Sequence, residues 1–242
     1  MIFEASQFAF EAPTAISRAR RVLIKPCAYT QTPYPVSTSP QMIATIIDGI
    51  RKVSDADIVI LESTPNGGPV QPNYQALKYD FPRVLMLDVK DSIWVEVENP
   101  LTKPLIVPTF WVPNVILSSD YLITVTPLKI VNGRPDLTLT NLLSLLPAAK
   151  YTVKESYDQL YTLGIEKVIA DLYFTLPFDL GIVEARQMFT STGADRTKGK
   201  AEDFGKVFVG EPFQVDSEIT EMLGLQAEYL DLIKVARVGL EI

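Results

Sequence analysis

The stretch that most limits how this chain can fold spans residues 22–61. Val22-Leu23-Ile24 is a short apolar run that stops at Lys25-Pro26. Proline cannot continue a central ladder, and it drives the residue before it into an extended conformation. Ser39-Pro40 then sets a helix N-cap with proline at the first helical position. Met42, Ile43, Ile46, Ile47, Ile50 and Val53 follow at three- and four-residue steps, the stripe of a helix lying on a sheet. Asp57-Ile58-Val59-Ile60-Leu61 is a second apolar strand that ends at Glu62. Strand, amphipathic helix and strand in this length make a βαβ unit with a right-handed crossover.

The rest of the chain extends the same pattern. Residues 83–88 and 121–126 read as further strands, the second ended by Pro127. Residues 93–97 alternate apolar and polar, as a half-exposed strand does. Residues 103–111 are apolar but carry two prolines, which fits an edge strand or an extended flap. Helical spacing marks residues 74–79, 137–146, 153–163, 165–172 and 228–238. Two apolar runs, 180–183 and 207–209, each end near an acid, Glu184 and Glu211. The polar loop between them carries Arg196, Lys198 and Lys200, and a helix begins near Phe213 with Asp216 in its first turns. No internal repeat or linker interrupts the pattern. The expectation is therefore one α/β domain over residues 1–242, with a mainly parallel sheet and helices on both faces.

Composition removes several functions. With 47% hydrophobic and 21% charged residues, the chain can bury a full core. A net charge of −7 argues against nucleic acid or anionic membranes as partners. The chain has no histidine, which removes the commonest general base, the Ser-His-Asp triad and most zinc chemistry. Its one cysteine, Cys27, allows neither an internal disulfide nor a cysteine-ligated iron–sulfur cluster, and it reads as a small buried hydrophobe. The N-terminal segment carries Glu4 and Glu11 and no long apolar run, unlike a signal peptide. No uncharged apolar stretch approaches the roughly 20 residues of a membrane span. A cytoplasmic protein is expected, with no cofactor assigned.

Ligands of open parallel sheets bind outside the carboxyl ends of the strands. Those ends carry Lys25, Glu62, Asp88, Lys129, Glu184 and Glu211, a rim of mixed sign. Three chemistries are open to it. Lys25 and Lys129 can grip a phosphate or carboxylate, with Lys198 and the N–H groups near Gly193 and Gly199 assisting. Glu62, Glu184 and Asp216 can bind a divalent cation through oxygens. A desolvated lysine can act as a base or Schiff-base nucleophile. The candidate ligand-binding set is Lys25, Glu62, Lys129, Asn141, Glu184, Asp216 and Lys198, taking a small anionic ligand and no assigned metal.

Val22-Leu23-Ile24-Lys25-Pro26 resembles the V-L-I-K-P-N strand of the domain-of-unknown-function family 362, with Cys27 where asparagine is usual. Residues 38–50 resemble the helix that follows it, and residues 121–151 the segment L-P-K-L-K-T-H … K-N-L-F-G-L-L-P. Residues 179–225 resemble D-L-x-I-V-D … D-P-V-A-V-D-A-x-x-x-x-x-G, here DLGIVE and EPFQVDSEITEMLGL. The resemblance runs over most of the chain, in order. It implies redox-linked roles beside ferredoxin-type iron–sulfur modules, for which this chain lacks the cysteines. Lys129 keeps the family's lysine, but Ile130 and Val131 replace Thr and His, and Thr140 replaces the lysine before Asn141. The matching polar positions are Lys25, Lys129, Asn141, Glu184 and Asp216. Two functional expectations follow. One is an enzyme acting on a small anionic ligand at the strand ends. The other is a non-catalytic ligand- or partner-binding subunit, a homo-oligomer or the companion of a separate redox protein.

Overall fold

The computed structural model describes residues 1–154 and 157–239. Its strands are β1 (Ile2–Glu4), β2 (Arg21–Pro26), β3 (Asp57–Glu62), β4 (Val84–Asp88), β5 (Trp94–Glu98), β6 (Thr109–Pro113), β7 (Tyr121–Val131), β8 (Arg134–Asp136), β9 (Leu180–Ser191) and β10 (Lys200–Gly210). Its α-helices are α1 (Pro40–Arg51), α2 (Gln71–Ala76), α3 (Asn114–Leu117), α4 (Ala148–Tyr151), α5 (Asp158–Leu163), α6 (Ile165–Thr175), α7 (Pro212–Leu223) and α8 (Glu228–Gly239). Among the described residues, no helix is long and apolar enough to cross a membrane.

Eight strands form one mixed, mostly parallel sheet in the order β1-β10-β9-β7-β2-β3-β4, with β8 paired to β7; β5 and β6 form a separate hairpin. Strands β4, β3, β2, β7 and β9 run parallel. Strands β10, β1 and β8 join antiparallel. The chain winds outward from β2 through β3 to β4, then returns to lay β7 on the other side of β2. The order thus reverses between β2 and β7, and such a reversal opens a crevice at the carboxyl ends of the two strands.

The βαβ unit forms as its residues dictate. Ser39 Oγ accepts from the Met42 N–H at 3.0 Å and caps α1. Val22, Ile24, Ile58, Ile60 and Ile123 pack with Ile43, Ile46 and Ile50 of α1 on one face. Leu23 and Leu61 point the other way, into a core built with α6 and α8. Each fully buried Ile or Leu contributes about 1.5–3 kcal/mol relative to exposure. Gly49 lets α1 sit close, because a Cβ there would lie 2.4 Å from the Phe10 carbonyl oxygen.

Several segments differ from their sequence reading. Residues 137–146 are a 3-10 turn over Thr140–Leu145 rather than an α-helix. Leu139, Leu142 and Leu145 are buried at steps of three, the period of that tighter helix. In residues 153–163 the helix occupies Asp158–Leu163, while Glu155 and Ser156 lie outside the described residues. The expected loop between the runs at 180–183 and 207–209 is mostly strand, because β9 and β10 extend into a long antiparallel hairpin. Strand β7 likewise runs on past Pro127. Proline has no N–H for the ladder, and the register shifts there, with Pro127 opposite Glu184 and Leu128 opposite Met188.

Glu211 is not on the carboxyl-end rim. Strand β10 is antiparallel and pairs Gly210 with Gly181, so Glu211 falls at the amino-terminal end of β9. There it caps α7, accepting from the Gln214 N–H at 3.1 Å. The flap before β6 is fastened by the fully buried Asp171, whose carboxylate accepts from the N–H groups of Leu105, Ile106 and Val107 at 2.9, 2.7 and 2.8 Å. Val107, Phe110 and Val112 are buried in consequence.

Candidate functional site

Lys25 ends the inner strand β2 and is fully buried. Its Nζ donates to Pro26 O at 2.7 Å, Glu62 Oε2 at 2.9 Å and Asn141 Oδ1 at 3.1 Å, which uses all three of its protons. Glu62 ends β3 and is equally buried; it also accepts from the Ala28 and Ser63 N–H groups, each at 2.8 Å. Asn141 returns the contact, donating to Thr124 Oγ1 at 3.0 Å and Lys25 O at 3.2 Å. This closed network ties β2, β3, β7 and the 3-10 turn together.

Lys129 stands on the neighbouring strand β7 at 1% exposure. Its Nζ meets Asp136 Oδ2 at 2.9 Å and Cys27 Sγ at 3.2 Å, and it lies 5.1 Å from the centre of the Tyr29 ring. Burial alone would lower its pKa, but Asp136, Cys27 and Tyr29 outweigh it and raise the ammonium well above its ordinary value. Burial would raise Asp136 in turn, yet Lys129 and the Thr140 hydroxyl hold the carboxyl below its usual range. Burial pushes the Cys27 thiol up, so it stays protonated.

Above this pair lies a cleft of about 710 Å³, at the β2–β7 reversal. Cys27 and Tyr29 enter it from the end of β2, Asp136 and Arg134 from β8, and Arg196 from the turn between β9 and β10. Tyr157, Tyr161 and Tyr229 supply aromatic wall. Arg134 is paired with Glu166 at 3.1 Å. Arg196 donates from Nη2 to the Tyr161 hydroxyl at 2.8 Å; burial would lower its pKa, but Tyr161 and Asp136 raise it.

The sequence-derived set thus divides. Lys25, Glu62, Lys129 and Asn141 come together at and beneath the cleft floor. Glu184 turns to the α1 face, where it accepts from Ser39 N at 2.9 Å and Ser39 Oγ at 2.7 Å and pairs with Arg186. Burial still raises its carboxyl above the ordinary range. Asp216 is wholly buried away from the cleft lining. It accepts from Thr138 Oγ1 at 2.6 Å, Thr138 N at 3.0 Å, Leu139 N at 3.1 Å and the Tyr229 hydroxyl at 3.1 Å. Burial raises it to about 6 against those bonds. Lys198 points to solvent and pairs with Asp195 at 3.2 Å. Among the described residues, no three His, Cys, Asp or Glu side chains are grouped so as to hold a metal ion.

Sequence reasoning passed over Tyr29, Asp136 and, within the basic knot, the choice of Arg196 over Lys198. Strand parity was a usable signal for part of this. Lys25 shares the parity of Leu23, and Glu184 that of Ile182, and the two face opposite sides of the sheet.

Fold and site together define an α/β protein with a ligand-sized cleft at a reversal of strand order. The family described as Domain of unknown function (DUF362) matches residues 22–221, and the chain belongs to that family. Among solved structures it is similar to the lactate racemase apoprotein from Thermoanaerobacterium thermosaccharolyticum, with a TM-score of 0.54 and 11% sequence identity over 90% of this chain and 53% of that one. The chain therefore spans about half the length of that protein, and the likeness is one of fold. No curated protein sequence matches the chain.

Proposed function

We propose that this protein binds a small organic anion, a carboxylate or a phosphate, in the cleft between β2 and β7. The observation that carries the reading is Arg196, a cation in the cleft wall whose bonded partner among the described residues is an uncharged hydroxyl. A guanidinium with donors to spare suits bidentate capture of such an anion. Lys25 and Lys129, each already held by a carboxylate, act as supports for the floor. Asn141 from the Lys25 network, and Asp136, Cys27 and Tyr29 from the Lys129 network, reach the ligand space.

A binding role is favoured over lysine chemistry. Lys129 has its ammonium stabilised by Asp136, Cys27 and Tyr29, so it is not the neutral amine that a base or Schiff-base nucleophile needs. The alternative, a partner-binding subunit beside a redox protein or a homo-oligomer, gains nothing from the flap, whose Val107, Phe110 and Val112 are buried. The reading takes the whole chain as one domain, and its unpaired cysteine suits a reducing compartment such as the cytoplasm.

A thermal-shift screen with phosphate and simple carboxylates tests this. A ligand at a hundred times its dissociation constant should add about 2.7 kcal/mol of stability. Arg196→Ala should abolish the shift and Lys198→Ala should keep it. A shift that ignores Arg196, or none with any anion, would remove the reading.

A further inference from the structure

A second cleft, of about 640 Å³, opens beside the first, and Tyr29 and Pro65 line both. Its chemistry is different. The larger cleft carries Arg134, Asp136, Glu166 and Arg196. The smaller is lined by Thr30, Gln31, Thr64, Asn66 and Asn73 with Gly68 and prolines, and by no charged side chain among the described residues. Asn73 is only 5% exposed, and its Nδ2 is spent on Ala28 O at 3.1 Å. That bond leaves Oδ1, on a side chain nineteen-twentieths buried, as an acceptor with no donor among the described residues. Oδ1 is not itself fully buried: it keeps solvent-accessible surface and is open to accept a hydrogen bond from a ligand in the cleft. At the junction the Tyr29 hydroxyl also bonds no described residue. Its pKa is raised to about 12: Lys129 pulls it down, but burial with Cys27 and Asp136 outweighs that, so the phenol is a neutral donor at physiological pH.

We infer that one ligand spans both clefts: a polyhydroxylated anion, such as a sugar phosphate or a uronic acid, with its charged group at Arg196 and a hydroxyl donating to Asn73 Oδ1. The inference rests on the anion-binding reading above and adds the second half of the ligand. A second anionic group would meet no cation in the smaller cleft. An apolar tail would leave the amides of Gln31, Asn66 and Asn73 facing groups that cannot hydrogen-bond. Hydroxyls both donate and accept, which matches a wall of amides and hydroxyls. The Tyr29 ring between the clefts offers an apolar face to the C–H side of a sugar.

Titration calorimetry on the full chain separates the two claims with matched probes: inorganic phosphate against glucose 6-phosphate, and acetate against glucuronate. In at least one pair the polyol anion should bind tenfold or more tightly than its simple counterpart. Asn73→Leu should erase that margin while leaving the affinity for the simple anion in place. Gln31→Ala should narrow it too, and because Gln31 is exposed this variant keeps the fold where Asn73→Leu fails to. Arg196→Ala should weaken both members of the pair. Simple anions that bind through Arg196 with no polyol margin would overturn the two-cleft inference and leave the anion reading standing. A margin that survives both Asn73→Leu and Gln31→Ala would also overturn it. Absence of binding by all four probes would sink both readings.

Discussion

Lys25 and Lys129 occupy adjacent strands, β2 and β7, on either side of the reversal in strand order, and both are buried beside a carboxylate. Their carboxylate partners differ in how far they open to the cleft. The partner of Lys25, Glu62, has no exposed side-chain surface, whereas the partner of Lys129, Asp136, keeps 19% and lines the cleft. A closed ion pair can only hold the fold together. An ion pair with one open member holds the fold and also presents charge to the cleft. The contrast shows how one fold can use two buried lysines for two ends.

The largest way to break this contrast is Lys25→Ala. Removing the cation leaves Glu62 buried and unpaired, for which about 3–5 kcal/mol of destabilisation is expected. Urea denaturation would measure it, and a small loss would mean that water reaches Glu62 after all. Lys129→Ala should cost less, roughly 1–3 kcal/mol, because Asp136 can be hydrated from the cleft. Equal losses in the two variants would erase the distinction between closed and open pairs.

Asp216 and Asp136 sharpen the comparison through pH. Burial raises Asp216 from 3.8 to about 6, so its proton is held more tightly in the folded state than in the unfolded one. That contribution is complete below about pH 4 and is lost as pH rises through about 6. Between pH 7 and pH 5 this group should therefore add about 1 kcal/mol to stability. Asp136, lowered by Lys129, works in the opposite direction: its contribution is present above its ordinary value of 3.8 and is lost only as pH falls below it. Asp216→Asn, which does not titrate, should lack the rise. Urea midpoints at pH 5 and pH 7 for the two proteins would reveal its absence, and an unchanged rise would assign the effect to other carboxyls.

The elements that could be read in advance are those with a buried face. The βαβ unit is legible because Ile43, Ile46 and Ile50 must cover Val22, Ile24, Ile58 and Ile60, and water enforces that pattern locally. The hairpin of β9 and β10 was not legible because the outer half of β10, residues 200–206, is mostly polar and exposed. There the pairing rests on backbone hydrogen bonds that almost any side chain permits. The 3-10 turn was mistaken for an α-helix because its leucines fit both periods over so short a length.

By itself, the sequence determined the parallel strands and the polar residues near their ends, since these follow from local spacing, and its ordered motifs carried the resemblance to the family. Only the tertiary structure decided which of those residues meet. Lys25 reaches Asn141 across 116 positions and Lys129 reaches Cys27 across 102, and neither separation has a local signature. Glu184, Asp216 and Lys198 have the same chemistry in the sequence as the residues at the cleft. They part from those residues because strand parity, a buried place within α7 and an antiparallel turn send them to three other places in the fold.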